Sequence, residues 1–529
     1  MAAAEAPPLP QLRKQGSAPQ LVVDGQPYLI LGGELHNSSA SSLAYLQKQW
    51  PALNRIGLNT VLAPVEWDQI EPREGHYDFT ILDGMLKQAR ANQKRLVLLW
   101  FGAWKNSMST YVPAYVKHDS ARFTRARSRA GQAQDILTPF DPKVLAADTA
   151  AFTAMLRHLK QVDRQRTVIM VQVENEVGML PDPRDYGTLA NAAFDAEVPA
   201  SLLAHLRNNA GRLQPALGQL WEEHGKRTSG TWAQVFGTSM AADEIFMAWG
   251  YASFLESLVK AGKAEYPLPM FVNAANVRPG RKPGEYPSAG PLPHLFDVWK
   301  RAAPSIDIMA LDIYFANFVE LAKRYKTPDN PLLVAEANRA GRPDAGANAL
   351  YAIGELDAIG YSPFGIEDLR DTGKDSLTKA FALIGQLAPL IHQSQGRGVM
   401  RGFKVPVNYD GVVDTRPVQV TLGGYRLDVS FANQWGKTED AELDTRGGVT
   451  IQTAPNEFII AGKGLTVVFT DAGAANESVG IEKLTEGSYK DGRWLEERWL
   501  NGDESHQGRH LRLNPDEFTI QRITLYKYH

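Results

Sequence analysis

The chain has 529 residues and contains no cysteine. This absence excludes disulfides, thiolate metal sites, iron–sulfur ligation and a cysteine nucleophile. The sequence also lacks a run of about eighteen apolar residues, so we predict no membrane-spanning segment. Lys and Arg total 56 against 59 Asp and Glu, a formal charge of −3. Because there is no basic excess to bind nucleic acid or an anionic membrane, a neutral partner is indicated.

Motifs of several common enzyme classes are missing as well. No predicted strand leads into GxGxxG, and GxxxxGK[ST] is absent, which leaves dinucleotide and P-loop functions without their main support. The 11 histidines show no HExxH or other metal-ligand spacing, and we predict neither a metal nor another cofactor. The run from Gly360 to Phe364, GYSPF, departs from the GxSxG nucleophile elbow at its last position.

The composition is that of an ordinary globular protein, with 44% hydrophobic and 22% charged residues. At about 150 residues per domain the length predicts three or four domains, or fewer if one is a large barrel. The opening MAAAEAPPLPQ resembles what remains after signal-peptide cleavage, behind an added Met. We therefore predict an extended or disordered segment over 1–20 and a periplasmic or secreted protein, with the cytoplasm as the alternative.

Between residues 21 and 395 short apolar runs alternate with longer amphipathic stretches, the pattern of βα units. Eight runs are predicted as strands: Tyr28 to Gly33, Leu58 to Pro64, Arg95 to Gly102, Thr167 to Val173, Leu268 to Asn273, Ile306 to Tyr314, Leu332 to Glu336 and Gly360 to Ile366. Eight units with long inserts predict a (β/α)8 TIM barrel over 21–395. A doubly wound open sheet is the alternative.

From residue 396 to 529 the pattern changes to short β-rich runs, such as Val418 to Leu422 and Tyr425 to Ala432. Turn signals such as Gly423-Gly424 and Asn501-Gly502 separate them. This texture predicts a C-terminal β-sandwich. Its aromatic residues could bind glycan, but we expect them in the sandwich core: Tyr425, Trp435, Trp494 and Trp499.

Two acids stand where a barrel places its chemistry, at the carboxyl ends of predicted strands. One apolar strand runs directly into Glu174, Asn175 and Glu176, and another ends in Glu336. Glycoside hydrolysis needs two carboxylates at one sugar, one to protonate the leaving oxygen and one to attack or to activate water. Each acid could instead accept backbone N–H bonds or pair with arginine. We assign the acid role to Glu176 rather than Glu174 because it is nearer the end of the strand.

Other polar and aromatic side chains follow the predicted strands and could bind sugar hydroxyls or stack on a sugar face. His36 and Trp104 have an equally plain interpretation as core residues, and Asn273 is a weaker candidate. The Tyr314 hydroxyl could hydrogen-bond Glu336 and help to keep it ionised. The predicted substrate-binding residues are His36, Asn37, Trp104, Lys105, Asn106, Asn175, Tyr314 and Glu367.

Several runs together resemble glycoside hydrolase family 35, whose members are retaining β-galactosidases on a (β/α)8 barrel. They are Gly32-Gly-Glu-Leu-His36, Leu58-Asn-Thr-Val, Glu66-Trp67 with Glu71-Pro72, Val171-Gln-Val-Glu-Asn-Glu176 and Pro331-Leu-Leu-Val-Ala-Glu336. The resemblance implies that Glu176 is the general acid/base and Glu336 the nucleophile. Two positions depart from the family pattern: Asn37 stands where Tyr is usual, and Trp104-Lys-Asn-Ser107 stands where a sugar-binding Glu is usual.

The resemblance, closest to a bacterial subgroup with a C-terminal β-domain, implies a retaining exo-β-galactosidase acting on a β-galactoside carbohydrate. By analogy with that subgroup, galactosylated side chains of xyloglucan are an expected substrate. The rival predictions are another retaining β-glycosidase with the same carboxylates, such as a β-glucosidase or β-mannosidase, and a non-catalytic carbohydrate-binding barrel.

Overall fold

The computed structural model describes residues 7–369, 373–432, 439–473 and 477–529. Their contacts divide the chain into two compact units. The first unit comprises Met1–Pro10, Asn37–Lys48 and Val61–Asp312, and the second comprises Gln11–His36, Gln49–Thr60 and Ile313–His529.

The strands are numbered in chain order. They are β1 (Gln11–Gln15), β2 (Ala18–Val23), β3 (Gln26–Tyr28), β4 (Ile30–Glu34), β5 (Thr60–Glu66), β6 (Arg95–Lys105), β7 (Arg125–Arg127), β8 (Ala133–Leu137), β9 (Val168–Asn175), β10 (Met270–Ala274), β11 (Ile308–Ile313), β12 (Leu333–Ala337), β13 (Gly360–Pro363), β14 (Met400–Lys404), β15 (Val418–Leu422), β16 (Tyr425–Ser430), β17 (Gly447–Ala454), β18 (Glu457–Lys463), β19 (Thr466–Asp471), β20 (Ser478–Lys490), β21 (Arg493–Trp499), β22 (Leu511–Arg512) and β23 (Thr519–Tyr528).

The helices are α1 (Leu43–Gln47), α2 (Trp50–Ile56), α3 (Trp67–Ile70), α4 (Thr80–Ala91), α5 (Ala114–His118), α6 (Pro142–Val162), α7 (Thr188–Phe194), α8 (Ala200–Asn208), α9 (Pro215–Glu223), α10 (Trp232–Phe236), α11 (Met240–Glu265), α12 (Phe296–Ala302), α13 (Phe318–Tyr325), α14 (Ala345–Leu356), α15 (Ser376–Ser394) and α16 (Asp440–Asp444). Single 3-10 turns occupy Pro293–Leu295, Ile366–Asp368 and Gly502–Ser505.

Eight strands close into a barrel in the order β10-β11-β12-β13-β4-β5-β6-β9. This confirms the predicted (β/α)8 barrel and excludes the open sheet. Every predicted run overlaps one barrel strand, because strands covered on both faces are apolar almost throughout. In β9, for example, all eight residues are buried.

An antiparallel sheet of β1, β2 and β3 precedes the barrel strands. Residues 11–15 and 18–20 belong to it, within the segment predicted as extended or disordered. Leu21 and Val22 of β2 are buried, and the Ser17 N–H donates to the carbonyl of Gly396 at 2.8 Å. This N-terminal sheet was not predicted, because its strands are short and its first strand is mostly polar.

The C-terminal residues form two antiparallel sheets, β14-β17-β18-β23-β20-β21 and β15-β16-β19-β22. Buried side chains of both sheets, including Leu427, Phe458, Val467 and Ile523, form one apolar core. The predicted β-sandwich is therefore confirmed.

The four sandwich aromatics expected in the core have different surroundings. Tyr425 is buried in the core, as predicted. The prediction is wrong for Trp499, which is 56% exposed on the last strand of its sheet. Trp494 is partly buried beside Tyr489, with ring centroids 5.4 Å apart. Trp435 lies outside the described residues. No helix of the described ranges is both long enough and apolar enough to cross a membrane.

Candidate active site

The backbone turns sharply where β9 ends, in the first unit. Glu174 has φ 61° and Glu176 has φ 44°, both in the left-handed region that non-glycine residues seldom adopt. Such conformations persist only where surrounding contacts enforce them, and they concentrate at functional sites. The turn breaks the simple alternation of a strand, as expected from the sequence, so Glu174 and Glu176 have different surroundings.

Three side chains fix Glu176, which is only 5% exposed. Asn106 Nδ2 donates to the Glu176 carboxylate oxygen Oε2 at 2.7 Å. Ser107 Oγ donates to the Glu176 carbonyl at 2.9 Å, and Asn273 Oδ1 accepts the Glu176 N–H at 2.9 Å. The predicted acid is thus held at its carboxylate and at both sides of its backbone.

Asp312 is a third acid in this group, and the sequence analysis missed it. Asn273 Nδ2 donates to Asp312 Oδ2 at 2.7 Å, and oxygens of Asp312 and Glu176 lie within 4.8 Å of each other. Asn273 therefore contacts both acids, through its amide nitrogen to Asp312 and its amide oxygen to the Glu176 N–H. The available signal was a lone acid inside the otherwise apolar strand β11, at its carboxyl end.

Two predicted binding residues stand at the end of β6: Lys105 is its last residue, and Asn106 follows it. Lys105 is buried, with its Nζ 2.7 Å from Asn175 Oδ1 and 4.6 Å from the centroid of the Phe101 ring. Asn106 is exposed, and its φ of 55° directs its amide to Glu176. Asn175 is fully buried, and its side chain contacts Lys105. Its predicted bond to a sugar hydroxyl stays a prediction.

Trp104 has no exposed surface, which corrects the prediction that it stacks on a sugar. Its Nε1 donates to the carbonyl of Leu137 at 3.0 Å. Its ring meets Tyr251 and Phe254 edge to face, at centroid distances of 5.3 and 4.7 Å. The packing alternative given in the sequence analysis is the one observed. Trp104 still lies inside β6, which continues to Lys105, and the chain turns only afterwards, at Asn106.

Glu174 is fully buried and faces the backbone of β6. Its oxygens accept the N–H groups of Gly102, Ala103 and Trp104 at 3.3, 3.0 and 2.9 Å. Burial, followed by the charge of Asp148, raises the pKa of Glu174 well above its ordinary value. Burial also raises the pKa of Asp148 to about 6. Glu174 therefore has a different role from Glu176, as the assignment from sequence requires.

In the second unit, Glu336 lies in β12 and is 4% exposed. The Tyr314 hydroxyl donates to Glu336 Oε2 at 2.7 Å, which is the contact predicted from the sequence. Tyr314 itself is 40% exposed, so a ligand can reach its ring.

His36 follows β4 and takes part in a polar cluster with residues after β13. Its N–H donates to Glu367 Oε1 at 3.0 Å, and its Nε2 is 2.8 Å from Asp368 Oδ2. Arg339 lies 3.4 Å from the same Asp368 oxygen. The His36 side chain is 35% exposed, so it is not a core histidine. Asp368 and Arg339 were not predicted, since neither follows an apolar run directly.

Asn37, the next residue in the chain, belongs to the first unit and is partly buried. Its Oδ1 is buried without a hydrogen-bond partner among the described residues. An amide oxygen in this condition is suited to accept a hydrogen bond from a ligand hydroxyl. Its predicted role in sugar binding stays a prediction.

Comparisons with known proteins relate two parts of the chain to protein families. The model of glycoside hydrolase family 42, described as "Beta-galactosidase", matches residues 42–224. A second model, described as a domain of unknown function, matches residues 377–512. A β-galactosidase of Xanthomonas manihotis is 29% identical over 186 residues, which are 34% of this chain and 28% of that protein.

A solved structure of low sequence identity has the same fold. A family 42 β-galactosidase from G. stearothermophilus aligns with a TM-score of 0.50 at 12% identity, covering 94% of this chain and 98% of that one. A β-galactosidase from Bacillus circulans sp. alkalophilus aligns with a TM-score of 0.45 at 14% identity, covering 69% of this chain and 57% of that one.

These matches make part of the chain similar to glycoside hydrolases: residues 42–224 resemble the β-galactosidase domain of family 42. The chain spans 28% of the length of the curated β-galactosidase that it matches. Family 35, which the motifs resemble, is not supported by the comparisons. The matched range includes Glu176 and ends before Glu336.

Proposed function

We propose that the protein is a retaining exo-β-galactosidase in which Glu336 is the nucleophile and Glu176 the general acid/base. One observation carries the proposal: two buried glutamates stand at the carboxyl ends of β9 and β12 in one closed parallel barrel. Barrel enzymes place their catalytic groups at that end of the strands.

The contacts of each acid suit its proposed role. Tyr314 donates to Glu336, which holds the proposed nucleophile in place. Asp312 lies within 4.8 Å of Glu176, and both contact Asn273. Asn106 donates to Glu176 and orients the carboxyl of the proposed acid/base.

The proposed reaction proceeds by double displacement. Glu336 attacks the anomeric carbon while Glu176 donates a proton to the departing glycosidic oxygen. Water, deprotonated by Glu176, then displaces Glu336 and releases galactose with its configuration retained. A retaining enzyme requires carboxyls separated by about 5–5.5 Å, whereas an inverting enzyme requires roughly 6.5–9.5 Å.

Covalent trapping tests the nucleophile. Incubation with a 2-deoxy-2-fluoro-β-galactosyl donor bearing a good leaving group should give one labelled peptide, and mass spectrometry should locate the label on Glu336. Glu336→Gly should be inactive and regain turnover with azide, yielding the glycosyl azide of inverted configuration. Near-native hydrolysis by Glu336→Ala would show that this assignment is wrong.

A panel of nitrophenyl glycosides tests the sugar. The proposal expects the highest kcat/KM on the β-galactoside; a preference for the β-glucoside or β-mannoside would replace the substrate and leave the acids in place. No turnover of any glycoside would favour the carbohydrate-binding alternative. Release of galactose from galactosylated xyloglucan tests the proposed natural substrate. Such a substrate accords with a periplasmic or secreted enzyme, the location that we propose from the sequence.

A further inference from the structure

We propose that Glu174 and Asp148 form a buried carboxyl pair that holds one proton and positions the acid/base Glu176 through the end of β6. The inference rests on the proposed function of Glu176. Glu174 and Asp148 are both 0% exposed, so they act as positioning residues and do not touch the substrate.

The pair needs a proton for its own hydrogen bonding. Trp100 Nε1 donates to Asp148 Oδ1 at 2.9 Å. Asp148 Oδ2 is buried and receives no N–H or hydroxyl donor from the described residues, and the neighbouring charge of Asp148 raises the pKa of Glu174. Two carboxylates have only acceptors, so a proton held by the pair would supply the donor that Asp148 Oδ2 lacks. A single shared proton also avoids two buried negative charges side by side.

The Glu174 side chain accepts hydrogen bonds from β6 where the pairing between β6 and β9 is interrupted. β6 pairs with β9 in register from Val97–Met170 to Trp100–Val173, and pairing resumes only at Lys105–Asn175. The three N–H groups that Glu174 accepts, those of Gly102, Ala103 and Trp104, lie inside this gap. Buried N–H groups left without acceptors would be costly, so the carboxyl stabilises the bulged course of β6.

The bulged segment leads directly to the residues that hold Glu176. After Trp104 come Lys105, Asn106 and Ser107, and the last two adopt φ of 55° and 58°. Asn106 then reaches the Glu176 carboxylate and Ser107 its carbonyl. The left-handed turn is therefore supported at its base by Glu174 and makes its contacts at Glu176.

The residue opposite Glu174 fits the carboxyl closely. A Cβ at Gly102 would lie 2.4 Å from Glu174 Oε1, nearer than any atom can approach without displacement. Only glycine leaves the room that the carboxyl occupies.

The test separates positioning from folding by varying the leaving group of the substrate. Dinitrophenol departs without protonation, whereas phenol needs the general acid, so misplacing Glu176 slows the phenyl β-galactoside selectively. We expect Glu174→Ala to lose at least about tenfold more kcat/KM, which reports the first step, on the phenyl than on the dinitrophenyl β-galactoside. Glu174→Gln keeps one oxygen for the Gly102 and Trp104 N–H groups and can donate to Asp148, but its amide nitrogen cannot accept the Ala103 N–H. Its selective loss should therefore be clearly smaller than that of Glu174→Ala.

Asp163→Ala is the matched control, because Asp163 is also fully buried and caps the opposite end of β9. Asp163 accepts the N–H groups of Thr167 and Val168 at 2.9 and 2.8 Å. Its loss should lower the unfolding midpoint in urea without changing the ratio between the two substrates. If Glu174→Ala does not fold, Glu174→Asp, whose carboxyl is one methylene shorter, should show the same selective loss.

Two outcomes overturn the proposal: a folded Glu174→Ala or Glu174→Asp variant with an unchanged substrate ratio, or Glu174→Gln as defective as Glu174→Ala. A wild-type protein inactive on the dinitrophenyl β-galactoside would instead refute the proposed function. The positioning claim then still has its structural test. A crystal structure should retain the 2.7 Å bond from Asn106 to Glu176 in Glu174→Gln and lose it in Glu174→Ala; retention in both would contradict the inference.

Discussion

At the scale of single residues, Asn106 is the side chain beside the two proposed catalytic acids whose loss should most directly affect the reaction, because it donates to Glu176. Its φ of 55° suits glycine, so Asn106→Gly removes the amide without straining the turn. Losing a hydrogen bond to a charged group costs about 1.5–3 kcal/mol, which predicts a fall in kcat/KM of about ten- to a hundredfold on the phenyl β-galactoside. Steady-state kinetics measure it.

Asn106→Asp provides the comparison for that variant, since it keeps the side-chain shape and turns the donor into an acceptor. A carboxylate facing the Glu176 oxygen that now receives an N–H bond would repel its charge. We expect it to be slower than the glycine variant. Equal rates in both variants and the wild type would contradict the role given to Asn106.

Glu66, at the end of β5, predicts a pH dependence of stability. Burial, then the charge of Asp68, raises its pKa from 4.5 to about 7. The native state therefore holds this proton more tightly than the unfolded chain, and the stabilisation, complete below pH 4.5, is lost as pH rises through about 7. Because the group is partly exposed, solvent screening limits the effect to about 1–2 kcal/mol.

The matched variant is Glu66→Gln, which removes the titration and retains the shape of the side chain. Urea unfolding at pH 5 and pH 8 should show wild type losing stability relative to this variant as pH rises. Parallel changes in both proteins would contradict the predicted direction.

The sequence predicted acids better than it predicted what surrounds them. Glu176 and Glu336 stand out because each lies at the end of an apolar strand, although Glu174 shows that a carboxyl in this position can also accept backbone N–H bonds. Trp104 carries no such mark: an indole after a strand packs or stacks with equal ease, and only the course of β6 decides. The partnership of Glu174 with Asp148 could not be predicted, since it joins a strand to a helix 26 residues earlier only after both have folded.

At the scale of elements, the eight barrel strands were predicted because their buried runs are apolar on both faces. Their ends were less accurate: β6 continues to Lys105, beyond the predicted end at Gly102. The pattern of apolar residues does not predict a register shift. The gap between Trp100 and Lys105 in the pairing of β6 with β9 involves the side chain of Glu174, which accepts the N–H groups left unpaired there. The residues at the end of β6 were therefore predicted, but the directions in which their side chains point were not.

Two helix glycines give a paired prediction at this scale. A Cβ at Gly385 in α15 meets nothing within 4 Å, so Gly385→Ala should stabilise the protein by about 0.5–1 kcal/mol through backbone entropy. A Cβ at Gly250 in α11 would lie 2.5 Å from Phe140 Cζ, and Phe140 is stacked on Phe246 at 5.0 Å. Gly250→Ala should therefore destabilise by about 1–3 kcal/mol.

Urea denaturation of both variants measures these opposite signs in one experiment. A stable Gly250→Ala would mean that the Phe140–Phe246 stack moves at little cost. A destabilised Gly385→Ala would mean that the helix surface there is covered.

At the scale of the molecule, the second unit joins barrel helices to the sandwich. The matched domain of unknown function spans residues 377–512, so it begins inside α15 and ends with β22. Gln386 of α15 accepts the Tyr489 N–H of β20 at 3.2 Å. Helix α14 lies on β14 and β17, where a Cβ at Gly354 would come within 3.1 Å of Gly402 Cα. The last two barrel helices thus serve the sandwich as packing partners.

This close approach predicts a non-additive pair of substitutions. A Cβ at Gly354 would lie 2.7 Å from Val449 Cγ2, so Gly354→Ala should destabilise by about 1–3 kcal/mol through overpacking. Val449→Ala removes the methyl groups that clash, so the double variant should be more stable than the sum of the single effects by about 0.5–2 kcal/mol. Urea unfolding of the four proteins measures this coupling. Additive effects would contradict this prediction. They would indicate that α14 moves away from β17 and that the sandwich tolerates a wider separation from this helix.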